Sequence, residues 1–101
     1  MSIVSDILKE EAKRLLALKK KYQKELSKFP KGSLSKKRRG NNNYYYLVFR
    51  EKEKINFKYV GKENSDKVKK LENDIKRRDS IKEKLKKINR NLDEIKKVLN
   101  D

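Results

Sequence analysis

Apolar residues in the first third of the chain fall at Val4, Leu8, Ala12, Leu15, Leu18, Tyr22, Leu26 and Phe29. Steps of three and four keep these side chains on one stripe, which predicts a helix over residues 3–29. Ser2 or Ser5 can cap its start, Glu10 can pair with Arg14 one turn on, and Pro30 with Gly32 ends it. A second stripe opens at Val68, Leu71 and Ile75 and resumes at Ile81, Leu85, Ile88, Leu92, Ile95 and Leu99. From Ile81 the steps alternate four and three, as in a coiled-coil seam. The predicted helix spans 65–99, with Asn64 or Ser65 as its cap. Between Ile75 and Ile81 the repeat slips across Arg77, Arg78, Asp79 and Ser80. Such a slip marks a bend, or a place where the helix passes from one partner surface to another.

Between the helices the period changes. Leu34 to Arg39 can form a short strand, Gly40 to Asn43 carries a turn signal, and Tyr44–Arg50 and Ile55–Val60 are rich in aromatic and β-branched residues. The expected class is therefore α+β, a single small domain over residues 1–101. Two long helices, expected as an antiparallel helical hairpin of coiled-coil character, are bridged by a two- to three-stranded antiparallel β-meander over 33–60.

Loop parity decides which side of the meander is apolar. An even loop sets Arg50 opposite Ile55 and puts Tyr44, Tyr46 and Val48 on one face with Phe57 and Tyr59. An odd loop pairs Leu47 with Phe57 and Phe49 with Ile55, which buries more hydrocarbon and is the expected register. It would leave Tyr44, Tyr46, Arg50 and Lys58 outside.

Composition narrows the chemistry. With 34% hydrophobic and 46% charged residues in 101, the chain lies near the lower limit for burying a core alone. Cys and His are both absent, which removes disulfides, thiolate metal sites and the commonest general base. Paired carboxylates such as Glu10-Glu11 and Asp93-Glu94 sit among lysines on helices, so they do not suggest a catalytic metal site. An enzyme is not expected, and neither is a cofactor. No apolar run approaches the roughly 20 residues of a membrane span, and no secretory segment stands at the start. The chain reads as cytoplasmic with no membrane partner.

The net charge of +16 is uneven along the chain. Residues 1–31 carry 9 cations against 4 acids, residues 32–62 carry 9 against 2, and residues 63–101 carry 13 against 9. An AT-rich genome would enrich Lys, Ile and Asn, but it would not remove the balancing acids from the middle third. A polyanion is the expected partner, and nucleic acid, RNA or DNA, fits a basic cluster beside aromatics. Lys36, Lys37, Arg38 and Arg39 are the leading phosphate ligands, joined by Lys58, Lys62 and Arg50 on the neighbouring strands. Lys20, Lys24, Lys28 and Lys31 add a basic end to the first helix, more cations than dipole complementarity alone explains. Tyr44 and Tyr46 are candidates for base stacking, although strand aromatics more often pack. Acid-to-base pairs such as Glu72–Lys76, Asp74–Arg78, Glu83–Lys87 and Asp93–Lys97 make the last helix a self-paired, solvated face.

From Gly32 to about Leu85 the chain resembles a family of small uncharacterised bacterial, archaeal and mobile-element proteins. The likeness rests on Gly32-Ser33-Leu34, the basic run from Lys36 to Gly40, Tyr44-Tyr45-Tyr46-Leu47, Arg50 and Tyr59-Val60-Gly61-Lys62-Glu63. Some members carry a cysteine-containing insert after the basic strand. This chain has Asn41-Asn42-Asn43 there, so metal binding does not carry over. The resemblance implies architecture more than function. Integrase arm-binding domains share only the layout of a short basic three-stranded sheet.

Two other readings compete with nucleic-acid binding. The chain could be a phage or mobile-element inhibitor of a host RNA-guided defence nuclease, acting on that nucleoprotein effector or on its guide RNA. It could also be a homodimer packed through the Ile81–Leu99 seam.

Overall fold

The computed structural model describes residues 2–100. Helix α1 spans Ile3–Leu26, strands β1, β2 and β3 span Ser33–Arg39, Asn42–Glu51 and Lys54–Lys62, and helix α2 spans Asp66–Asn100. The class is α+β, with a three-stranded antiparallel sheet in the order β1-β2-β3. Contacts divide the chain into two compact units. One is Phe29–Arg78, and the other joins α1 to the part of α2 from Asp79 onward.

In the helical unit, Ser2 caps α1 by accepting the Ser5 N–H at 3.0 Å. The helix ends at Leu26, short of the expected Phe29. A residue preceding proline is disfavoured in the α region, so Phe29 cannot continue a helix into Pro30. The last turn tightens instead, with the Lys28 N–H reaching the Glu25 carbonyl at 3.0 Å and the Ser27 hydroxyl donating to the Lys24 carbonyl at 2.7 Å. Arg14 pairs with Glu11 rather than Glu10, its Nε donating to Oε2 at 3.0 Å. Leu15, Ile88 and Ile95 form the buried core, with Leu8, Ala12, Leu18, Tyr22, Leu92 and Leu99 packed around it. From the α2 stripe, Ile88, Leu92, Ile95 and Leu99 take part in this cluster. Lys84 adds a cation over the Tyr22 ring at 5.6 Å. Ile3, Val4 and Ile7, at the start of α1, stay exposed.

The sheet unit follows a different logic. Gly40 and Asn41 form a two-residue turn, so that Arg39 pairs with Asn42. Lys52 and Glu53 form a second one, with Lys52 at φ +58, and Arg50 stands opposite Ile55. This is the even register, and it overturns the expected odd one. A two-residue loop sets Glu51 opposite Lys54, an opposite-charge cross-strand pair, and it matches the twist of the strands. Maximal burial of hydrocarbon is not what selects the register here.

A bulge at Val60 then changes the pattern: Tyr46 pairs with Tyr59, but Tyr45 pairs with Gly61. The extra residue carries β3 on to Lys62, two residues beyond the expected end. Gly61 is buried, and a Cβ there would lie 2.7 Å from Ser65 Oγ and 3.4 Å from Val68 Cγ2. Only a glycine lets the strand come this close to the start of α2. Ser65 caps that helix, accepting the Val68 N–H on its hydroxyl at 3.4 Å and the Lys69 N–H on its carbonyl at 3.0 Å. Val68, at 2% exposure, is the centre of this small core.

The slip in the α2 stripe has a specific cause. Arg78 stands where the next apolar residue would fall, between Ile75 and Ile81, and it is 9% exposed. Its Nη1 donates to the carbonyls of Pro30 at 2.9 Å and Gly32 at 2.6 Å. It therefore fastens the segment that leads into β1. Gly32 holds φ +108, a conformation that strains any other residue, and a Cβ there would run into the Val48 carbonyl. The division between the two units falls just after Arg78.

Replacing Arg78 with Ala should lower stability by about 2 kcal/mol, because a largely buried charged donor to two carbonyls is lost. Replacing Arg77, an exposed cation 5.8 Å from the Phe29 ring, should cost less than about 1 kcal/mol. Urea titration followed by circular dichroism measures both, and equal losses would contradict the role given to Arg78.

Candidate nucleic-acid interface

Paired residues on neighbouring strands share a face, so the register sorts every side chain of the sheet. One face carries Ser33, Ser35, Lys37 and Arg39 from β1, then Asn42, Tyr44, Tyr46, Val48 and Arg50 from β2. Ile55, Phe57, Tyr59 and Lys62 complete it from β3. It holds Lys37, Arg39, Arg50 and Lys62 and not one acid. The other face carries Leu34, Tyr45, Leu47 and Phe49, all half-buried, together with Lys36, Arg38 and Lys58.

The acid-free face is also the aromatic one. Ile55, Phe57 and Tyr59 are 58%, 54% and 55% exposed. Tyr44 and Tyr46 are half-buried beside Tyr59, with ring centroids 6.4 Å and 5.5 Å from it, the second pair edge to face. The Lys37 ammonium lies over this cluster, 5.1 Å from the Tyr46 centroid and 4.6 Å from that of Phe57. Rings and cations are thus interleaved on one surface, with the outermost rings on the edge strand.

The basic run of β1 is split by strand alternation. Lys37 and Arg39 join the aromatic face. Lys36 and Arg38 go to the other side, and both have partners there. Arg38 Nε donates to the Gly40 carbonyl at 3.2 Å across the turn. Lys36 lies 3.4 Å from the Glu63 carboxylate, which also accepts the Asn43 side-chain amide at 2.7 Å. The Glu63 N–H donates to the Asn43 carbonyl at 2.9 Å, so Asn43 and Glu63 clasp β2 to the segment after β3. The Asn43 hydrogen bond, with the Lys36 charge behind it, holds the Glu63 carboxyl below the usual 4.5.

Among the other expected ligands, Arg50 and Lys62 lie on the aromatic face and Lys58 does not. Lys58 was expected outside beside Tyr44 and Tyr46, but the even register turns it to the opposite face. There it lines a shallow concavity with Leu47, Val60, Lys67, Leu71 and Asp74. Lys31 is exposed in the segment before β1 and belongs to the sheet unit. Lys20, Lys24 and Lys28 are exposed and belong to the helical unit. Phe57, Tyr59 and Ile55 were missing from the sequence-based candidates. The signal that could have found them is the Glu51-Lys52-Glu53-Lys54 run, whose outer residues suit a cross-strand charge pair around a two-residue turn.

A family described as a domain of unknown function (DUF6788) matches residues 7–70, and the chain belongs to it. Comparison with curated proteins gave no match, and neither did comparison with solved structures. The family match takes in α1 from Ile7 onward and the whole sheet, and ends early in α2. No helix among the described residues is long and apolar enough to cross a membrane.

The lowered pKa of Glu63 gives a test of the clasp. A carboxylate held below its ordinary value stabilises the fold above that value, and the contribution is lost as pH falls through the folded-state pKa. The melting temperature of the native chain should therefore exceed that of Glu63→Gln at about pH 6, with the gap closing as pH falls below 4.5 and through the lowered folded-state pKa. A gap that does not change with pH would contradict the clasp.

Proposed function

We propose that this member of the family is a non-enzymatic nucleic-acid-binding protein of the cytoplasm, with the sheet unit as its contact surface. The observation that carries the reading is the strand face on which Lys37, Arg39, Arg50 and Lys62 surround aromatic rings without a single acid. A surface of this kind attracts a polyanion, and phosphate contacts made by such cations do not distinguish RNA from DNA. Lys36 and Arg38 contribute less than the sequence suggests, because Glu63 and the Gly40 carbonyl already engage them. Lys31 in the sheet unit, and Lys20, Lys24 and Lys28 in the helical unit, are exposed and offer further phosphate contacts. The helical unit is read by itself as an antiparallel, coiled-coil-like hairpin. The meeting of Tyr22 with Lys84 favours that direction. The Gly32-Ser33-Leu34, Tyr44-Tyr45-Tyr46-Leu47 and Tyr59-Val60-Gly61-Lys62 segments are read as the family's recurring pattern.

Affinity for a labelled oligonucleotide should fall steeply with salt, because each phosphate contact releases counterions. Replacing Lys37, Arg39, Arg50 and Lys62 with Ala should flatten the log–log salt dependence by about 3. Replacing Lys82, Lys86, Arg90 and Lys97 should change it by less than about 1. Salt-independent binding would contradict the phosphate mechanism, and equal effects of the two sets would contradict the choice of face. Pull-down after nuclease treatment addresses the rival reading. A nucleoprotein partner that stays bound, with no oligonucleotide affinity, would favour an inhibitor of an RNA-guided nuclease.

A further inference from the structure

We infer that the aromatic face selects single-stranded over double-stranded nucleic acid by stacking two bases on Phe57 and Tyr59, an inference that rests on the nucleic-acid reading of this face. Neither residue contributes charge, so phosphate attraction does not account for their exposure. Large apolar side chains on a sheet are ordinarily covered, and rings left open in a charged surface mark a contact. The charge around them fixes the class of partner. Lys37, Arg39, Arg50 and Lys62 call for an anion, and the rings call for flat apolar groups attached to it. A nucleic acid strand has both.

Strand geometry selects single strands. Phe57 and Tyr59 are two residues apart on β3, so their attachment points are separated by about 6.8 Å. Successive bases in a duplex strand rise by only about 3.4 Å. Neighbouring bases can therefore reach both rings only when they are unstacked from each other, a conformation open to a single strand. Duplex bases are covered on both sides and present only their edges. Tyr44 and Tyr46 lie against the Tyr59 ring, with centroids 6.4 Å and 5.5 Å away. Lys37, 4.6 Å from the Phe57 centroid, would be pushed outward by a base stacked on that ring. That movement takes its ammonium toward the adjoining phosphate.

Three probes of about 12 nucleotides separate bases from phosphates: a pyrimidine single strand, its duplex and an abasic strand of equal length. The native chain should bind the base-bearing single strand at least tenfold more tightly than either of the others. Its fluorescence should be quenched on binding, a signal that comes from tyrosine because the chain has five Tyr and no Trp. Phe57→Leu and Tyr59→Leu keep apolar bulk and remove the ring. Each should lose about 5- to 150-fold in affinity for the base-bearing strand, but not for the abasic one. Phe57→Tyr and Tyr59→Phe keep the ring and should retain affinity, which separates stacking from a folding defect. Equal binding of the abasic and base-bearing strands overturns the inference and leaves the phosphate reading intact. Preference for the duplex has the same effect. Failure to bind any of the three at low salt overturns both.

Discussion

The pairing of Arg50 with Ile55 decides what the sheet can do. Side chains alternate across a strand with a period of two, so a loop one residue longer would exchange the two faces of β3 relative to β2. Phe57 and Tyr59 would then leave the side of Tyr44 and Tyr46, and Lys58 would replace them. The register is held at both ends of the β2–β3 ladder. Lys52 accepts a left-handed conformation in the turn, with Glu51 facing Lys54 beside it. At the other end the Asn43–Glu63 clasp fixes the pairing after the bulge. Between them the Val60 bulge lets Gly61 come against Val68 while Tyr59 stays on the aromatic side. The bulge thus sets Gly61, rather than Val60, opposite Tyr45.

Helix α2 meets a similar problem along its length. Its first part covers a small core around Val68, and its last part supplies the Ile88 and Ile95 seam. Arg78 fills the step between them with a charged side chain, because the groups it meets are carbonyls of the Pro30–Gly32 segment. Buried carbonyls need donors, and an apolar residue at this place would leave them unsatisfied. A polar residue in an otherwise apolar stripe is here a requirement of the backbone it faces.

These features divide what the sequence could reveal from what it could not. Both helices, the three strands and the basic turn follow from local signals such as the spacing of Leu15 and Ile88, the Ser2 and Ser65 caps and the Gly40 turn. Parity did not follow, because the odd loop offered more buried hydrocarbon and no glycine marks Lys52-Glu53. The bulge was hidden as well, since it depends on contact between Gly61 and a helix that lies farther along the chain. Lys36 and Lys37 look equivalent in sequence, yet one meets Glu63 and the other the rings of Tyr46 and Phe57. For the candidate site, residue types were legible one by one, and their grouping waited on the register.

Charge distribution follows the same division. The middle third carries 9 cations, and its 2 acids, Glu51 and Glu53, both lie at the Lys52-Glu53 turn. The far end of the sheet, where Arg39, Lys62 and the Gly40 turn meet, therefore has Glu63 as its nearest acid, and Asn43 and Lys36 already hold that carboxylate. Like charges crowded on so small a core repel one another, which lowers stability in the absence of a counterion. By unit, residues 1–28 with 79–101 carry 15 cations against 9 acids, and residues 29–78 carry 16 against 6, so the sheet unit holds the larger excess of positive charge.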